Sequence, residues 1–187
     1  MFHMEQKSDN FELKIILFLT QKRAHIRGIA KELNLTHTTI LRKVNQLFKE
    51  NVVDFEYEGK NKVFYLKKNQ ISKSYVLRAE LYKVSLIINK YPFLEVIIND
   101  ILKISKEKML ILFGSYAEFR AEKNSDVDIY IESTDRNLKK KIESINSKLS
   151  IKIGLFDEQS PLIREIIKKH IILRGLEEFY EKIKFFG

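Results

Sequence analysis

The chain has 187 residues, 44% of them hydrophobic and 32% charged, with no cysteine and a formal net charge of +9. That length suits one or two small domains with cores of their own, and the lack of cysteine excludes a disulfide framework and any thiolate zinc site. Apolar runs are too short to span a bilayer, and residues 1–10 lack the apolar core of a signal peptide, so a cytoplasmic protein with no membrane partner is expected.

Residues 1–70 carry 13 Lys and Arg against 8 Asp and Glu, and the remainder 21 against 17. The basic excess is therefore denser in the N-terminal third. Such an excess favours phosphate-bearing partners; a lysine-rich solvated surface gives the same count.

Phe11, Ile15, Phe18 and Leu19 have helical spacing over 11–21, and Ile26, Ile29, Ala30 and Leu33 repeat it over 26–33. Asn34-Leu35-Thr36 reads as a tight turn, with Thr36 as N-cap of a third helix over 37–50. Its buried stripe is expected to be Ile40, Val44, Leu47 and Phe48, with Thr38, Thr39, Arg42, Lys43 and Gln46 facing away. Strands are expected at 52–57 and 62–66, joined by a hairpin loop at 58–61.

Residues 71–105 read as helical with a break at Pro92. Leu77, Leu81, Val84, Leu86 and Ile88 are expected to form the apolar face of the first half. Beyond it, strands at 109–113, 127–131, 149–156 and 171–173 alternate with helices at 138–145, 162–169 and 176–185, the order of an α/β or α+β domain. The expected organisation is three parts: 1–70, a helical linker over 71–106, and 107–187. His25, His37 and His170 show no metal-binding spacing and are expected at the surface.

The chemistry concentrates in two short stretches. A buried strand ends at Gly114-Ser115. Gly114 lets the backbone approach a ligand with no Cβ in the way, and the N–H groups of such a turn form an anion-binding concavity. Ten residues beyond Ser115 come Asp126 and Asp128. On a strand, positions two apart share a face, so both carboxylates project together while Val127, Ile129 and Ile131 anchor the other side. Paired hard oxygen ligands suit Mg²⁺ held jointly with substrate phosphates.

Gly-Ser, ten residues, then Asp-x-Asp resembles the signature of the DNA polymerase β-like nucleotidyltransferases. The flanking Phe113-Gly114-Ser115-Tyr116-Ala117 and Asn124 to Ile129 look like the small minimal branch of that superfamily. The resemblance covers about residues 108–175. It implies Gly114 and Ser115 at a nucleoside triphosphate such as ATP, Asp126 and Asp128 as catalytic Mg²⁺ ligands, and transfer of a nucleoside monophosphate to an acceptor. It also implies a helical, toxin-like protein as a candidate partner.

Two positions depart from the family pattern. The family has Arg or Lys and then Gly after the Gly-Ser-Tyr-Ala run; here Glu118 and Phe119 stand there, followed by Arg120. The family also places a third acid on a later strand. With Ile151, Ile153 and Leu155 toward the core, strand 149–156 offers Ser150, Lys152 and Gly154. Either Lys152 replaces the third ligand or Asp157 reaches the site through a bulge.

The N-terminal order, three helices then a hairpin, resembles the winged helix-turn-helix of bacterial and archaeal regulators. The resemblance implies DNA binding, with Thr38, Thr39, Arg42 and Lys43 on the groove-facing helix and Lys60 and Lys62 in the wing. The expected fold is thus α+β: a winged helix-turn-helix, a helical linker and a nucleotidyltransferase-type mixed β-sheet with helices. Enzyme and regulator with a weakened nucleotidyltransferase both remain open. The apolar faces in 71–105 suit a homodimer on a two-fold DNA site.

Overall fold

The computed structural model describes residues 10–187. The reading of the first ten residues as lacking a signal core therefore falls, Asn10 apart, outside the described residues. Contacts divide the chain into two compact units, one ending at Ala79 and the other running from Glu80 to Gly187.

The first unit holds α1 (Phe11–Gln21), α2 (Ile26–Leu33), α3 (His37–Lys49), β1 (Val53–Glu58) and β2 (Asn61–Leu66). Asn34 ends α2 with φ of 51°, a left-handed conformation that Asn tolerates better than most residues. Thr36 then caps α3, its hydroxyl accepting the Thr39 N–H at 3.2 Å. β1 and β2 pair antiparallel from Val53↔Leu66 to Glu58↔Asn61, leaving Gly59-Lys60 as a two-residue turn with Gly59 at φ +61°. Ala24 adds a bridge to Phe64, tying the α1–α2 connection to the hairpin. Ile15, Ile16, Ile29, Ile40, Val44, Leu47 and Phe64 are buried between these elements. A fully buried aliphatic side chain contributes about 1.5–3 kcal/mol relative to exposure. The arrangement is that of a winged helix-turn-helix.

Phe48 departs from expectation: it is 43% exposed. The stripe Ile40, Val44 and Leu47 already meets the core, and Phe48 lies one step around the helix, turned toward the hairpin.

α4 (Gln70–Lys90) begins in the first unit and ends in the second. Its buried positions are Ser72, Val76, Ala79, Glu80 and Ile87. Leu81, expected on the buried face, is 60% exposed. Two polar residues, Ser72 and Glu80, hold buried positions instead. The Ser72 hydroxyl donates to Val52 O at 2.7 Å, which satisfies the hydroxyl and makes the burial affordable.

The second unit contains α5 (Phe93–Ile104), β3 (Leu110–Phe113), α6 (Gly114–Ala117), β4 (Val127–Glu132), α7 (Arg136–Glu143), β5 (Leu149–Gly154), α8 (Pro161–Lys168), β6 (Ile171–Arg174) and α9 (Leu176–Lys182). The sheet order is β5-β4-β3-β6. β3 runs antiparallel to β4 and β6, and β4 parallel to β5. Leu110, Leu112, Val127, Ile129, Ile131 and Ile151 pack with Ile97, Ile98 and Ile101 of α5 in one core. Arg174, at the end of β6, donates to the carbonyls of Leu102, Ser105 and Glu107. It thereby satisfies acceptors at the end of α5 that the helix itself leaves open.

His170 is buried at 5% exposure, not at the surface as expected. Its Nδ1 lies 2.8 Å from Ile166 O, and its ring stacks 4.6 Å from that of Phe179. Beside it Glu80 accepts from Tyr180 Oη at 2.8 Å and pairs with Lys83 Nζ at 2.7 Å. Lys83 also donates to His170 O. Among the described residues no helix is long and apolar enough to cross a membrane.

Candidate functional site

β3 is apolar and buried throughout, and it delivers the chain directly to Gly114. There φ is +66°, and the short helix α6 begins. Left-handed backbone of this kind favours glycine. The register sets Phe113 opposite Asp128, so the Asp128 carboxylate stands against the turn. A Cβ at Gly114 would lie 2.5 Å from Asp128 Oδ2. Position 114 thus needs glycine for both its φ and its closeness to the acid.

β4 starts at Val127, so Asp126 immediately precedes the strand and is exposed, while Asp128 is half-buried. Burial, the largest effect, raises the Asp128 carboxyl above its ordinary value, and the negative charge of Asp126 raises it further. A hydrogen bond with Ser150 and the charge of Lys152 oppose this without cancelling it. Asp126 also adds to the upward shift of the Tyr116 phenol, after burial and Tyr91. The two carboxylates therefore sense each other, and Asp128 stands against the Gly114 turn.

The strand register places the residues considered for a third ligand. β4 and β5 pair in unbroken register, Asp128↔Ser150 and Tyr130↔Lys152. No bulge shifts the parity. β5 ends at Gly154, and Asp157 lies beyond it, its Oδ1 accepting the Gln159 N–H at 2.9 Å in a local turn. Leu155, expected toward the core, is 71% exposed because the strand has already ended. Ser150 stands beside Asp128, and Lys152 projects at an exposed position. Among the described residues no group of three or more His, Cys, Asp or Glu is arranged to hold a metal. Asp126 and Asp128 nonetheless fit a cation shared with a substrate, since Mg²⁺ commonly takes one or two carboxylates and fills its other positions with phosphate and water.

The departures after Ala117 also have a geometry. Phe119 has φ of 59°, the backbone a glycine would favour, and its ring packs half-buried against the domain core. Glu118 is ion-paired with Arg120.

On α3, Thr38 and Arg42 are exposed, as are Lys60 and Lys62 in the wing. Thr39 is part of the helix cap, its hydroxyl 2.8 Å from that of Thr36. Lys43 does not join this face. Its Nζ pairs with Glu12 of α1 at 2.9 Å, with both side chains largely covered. The α1 carboxylate draws it away from solvent, a partner that helix spacing alone does not reveal. Sequence reasoning also passed over a second stripe of α3, His37, Leu41, Asn45 and Phe48. Their i, i+4, i+8, i+11 spacing is a legible helical signal, and they line the groove toward the wing.

Residues 96–178 match the family described as Polymerase beta, Nucleotidyltransferase. No curated protein matches the chain in sequence. Over its N-terminal part the chain is similar to the homodimeric winged helix-turn-helix DNA-binding domain of a Mycobacterium bovis protein. The identity is 17%, over 44% of this chain and 72% of that one, with a TM-score of 0.35. It is also similar to the adhesin competence repressor of Streptococcus pyogenes, with 20% identity over 48% of this chain and 67% of that one and a TM-score of 0.40. With its sheet, its Gly-Ser turn and its two neighbouring carboxylates, the segment 96–178 is a nucleotidyltransferase domain of the polymerase β type.

Proposed function

We propose that the C-terminal domain binds a nucleoside triphosphate, ATP foremost, with Mg²⁺ and transfers its nucleoside monophosphate to an acceptor hydroxyl. The acceptor oxygen bonds to the α-phosphorus, the bond to the bridging oxygen breaks, pyrophosphate leaves, and the acceptor proton passes to solvent. The observation that carries this reading is the approach of Asp128 to Gly114 with Asp126 beside it. The open flank of Gly114 and the first N–H groups of α6 would receive phosphate oxygens, joined by the Ser115 hydroxyl. Asp126 and Asp128 would hold the metal. Bound there, Mg²⁺ would neutralise charge that develops on the phosphate oxygens.

The winged helix would dock on duplex DNA through Thr38, Arg42, Lys60 and Lys62, in the cytoplasm, with a homodimer matching a two-fold site. Incubation with α-labelled ATP, Mg²⁺ and candidate acceptors tests the chemistry. Label transfer that disappears in Asp126→Asn/Asp128→Asn supports it; transfer that persists in that variant overturns it.

A second reading rests on Ser150, which faces Asp128 where a third carboxylate would complete the site. Here the domain senses a nucleotide or binds a protein partner, and the winged helix regulates transcription. Mg²⁺-dependent ATP binding without label transfer to any acceptor distinguishes it from the enzyme.

A further inference from the structure

A groove of about 550 Å³ lies between α3 and the wing. Its volume is in the range of small-ligand sites, and its lining is selective. His37, Leu41, Asn45 and Phe48 form the α3 wall, and Phe55 and Phe64 form the sheet wall. The rings of Phe48 and Phe55 stand 5.6 Å apart. Three cations ring this aromatic wall: Arg27 from α2, and Lys60 and Lys62 from the wing. Lys62 Nζ sits 4.0 Å from the centre of the Phe55 ring. None of the three forms a salt bridge among the described residues, and no Asp or Glu lines the groove. A neighbouring cavity of about 660 Å³ is different: Glu32 and Glu58 line it, and its Arg23 is paired with Glu56 and Glu58.

Cations without an acid partner, around an aromatic wall whose Phe48 ring is open and whose Phe55 ring is half-buried beneath Lys62, match one ligand chemistry, an aromatic base joined to a phosphate. We propose that this groove holds a single unstacked nucleotide, its base against Phe48 and Phe55 and its phosphate toward Arg27, Lys60 and Lys62. A B-form duplex offers only base edges, whereas a concave aromatic wall receives a ring. The source is either a single-stranded nucleic acid or a free nucleotide. Duplex docking uses Thr38 and Arg42 on the outer side of α3 and shares only the wing lysines Lys60 and Lys62 with this groove, so Phe48→Ala and Arg42→Ala tell the two apart.

The test uses the full chain and fluorescence anisotropy. The probes are a labelled single strand of about 12 nucleotides, the same strand in a duplex, and ATP in EDTA, labelled for direct binding and unlabelled as competitor. Phe48→Ala should weaken single-strand binding about tenfold, the loss of one base–aromatic stack, and leave the duplex unchanged. Arg42→Ala should do the opposite. Leu41→Glu, at an exposed helix position, should abolish single-strand binding while circular dichroism stays native. Displacement of the strand by ATP assigns the groove to free nucleotide as well; strand binding without displacement assigns it to single-stranded nucleic acid. Absence of binding by both the single strand and labelled ATP in EDTA, or binding indifferent to both Phe48→Ala and Leu41→Glu, overturns the proposal. So does an equal loss of duplex binding in Phe48→Ala.

Discussion

Gly114 and Asp128 occupy each other's space: a Cβ on Gly114 would sit 2.5 Å from Asp128 Oδ2. The turn and the acid are thus one device, set in register by the Phe113↔Asp128 pair. Gly114→Ala should cost about 1 kcal/mol of stability through its positive φ. It should also push the carboxylate aside, with a loss of nucleotidyl transfer on the order of 100-fold. Thermal unfolding and single-turnover label transfer measure the two effects.

Asp128 carries the opposite signs for stability and for binding. Its carboxyl is raised by burial and then by Asp126, so the metal-free folded state binds its proton more tightly than the unfolded chain. Stability therefore falls as pH rises from the unfolded carboxyl value toward the raised folded one, and the cost persists above it. Asp128→Asn should raise the metal-free Tm at neutral pH by about 1–3 °C while removing the Tm gain from Mg²⁺ and ATP. A Tm that falls without metal contradicts this.

Ser150→Asp would set a third carboxylate opposite Asp128. With three acids the metal affinity should rise about tenfold or more, and any label transfer should rise with it. Without metal the same variant should lose stability, since three neighbouring carboxylates repel. Calorimetric Mn²⁺ titration reads the affinity.

The buried Glu80 offers an acid-stability signature. Burial favours its neutral form, but Lys83 and His170 win, holding the carboxyl down at about 2. A depressed folded value stabilises above the unfolded carboxyl value and is lost as pH falls through the folded one. A decline worth about 3 kcal/mol is expected between about pH 4.3 and pH 2. Glu80→Gln should remove that decline and destabilise at neutral pH by about 3–5 kcal/mol, because Lys83 loses its buried counter-charge. Urea unfolding across this pH range checks both statements.

The pairing of Lys43 with Glu12 separates it from Arg42. Arg42→Ala should reduce the salt dependence of duplex binding by about one phosphate contact. Lys43→Ala should leave that dependence unchanged and lower stability instead. Binding isotherms at several salt concentrations distinguish them.

The sequence by itself determined most of the order of elements and the two kinds of domain, and it singled out Gly114 and Asp128, which the fold brings together. Periodicity, the Thr36 cap, the Gly59 turn and the fixed ten-residue spacing are local, so they can be read along the chain. Only the tertiary structure decided the faces of α4 and α3, because buried Ser72 and Glu80 are stabilised by distant partners while Leu81 and Phe48 remain exposed. It also decided that Lys43 turns to Glu12, that His170 is interior, and that Ser150 rather than Asp157 stands beside Asp128. Each of these depends on strand register or on a side chain many residues away, and neither is encoded in local spacing.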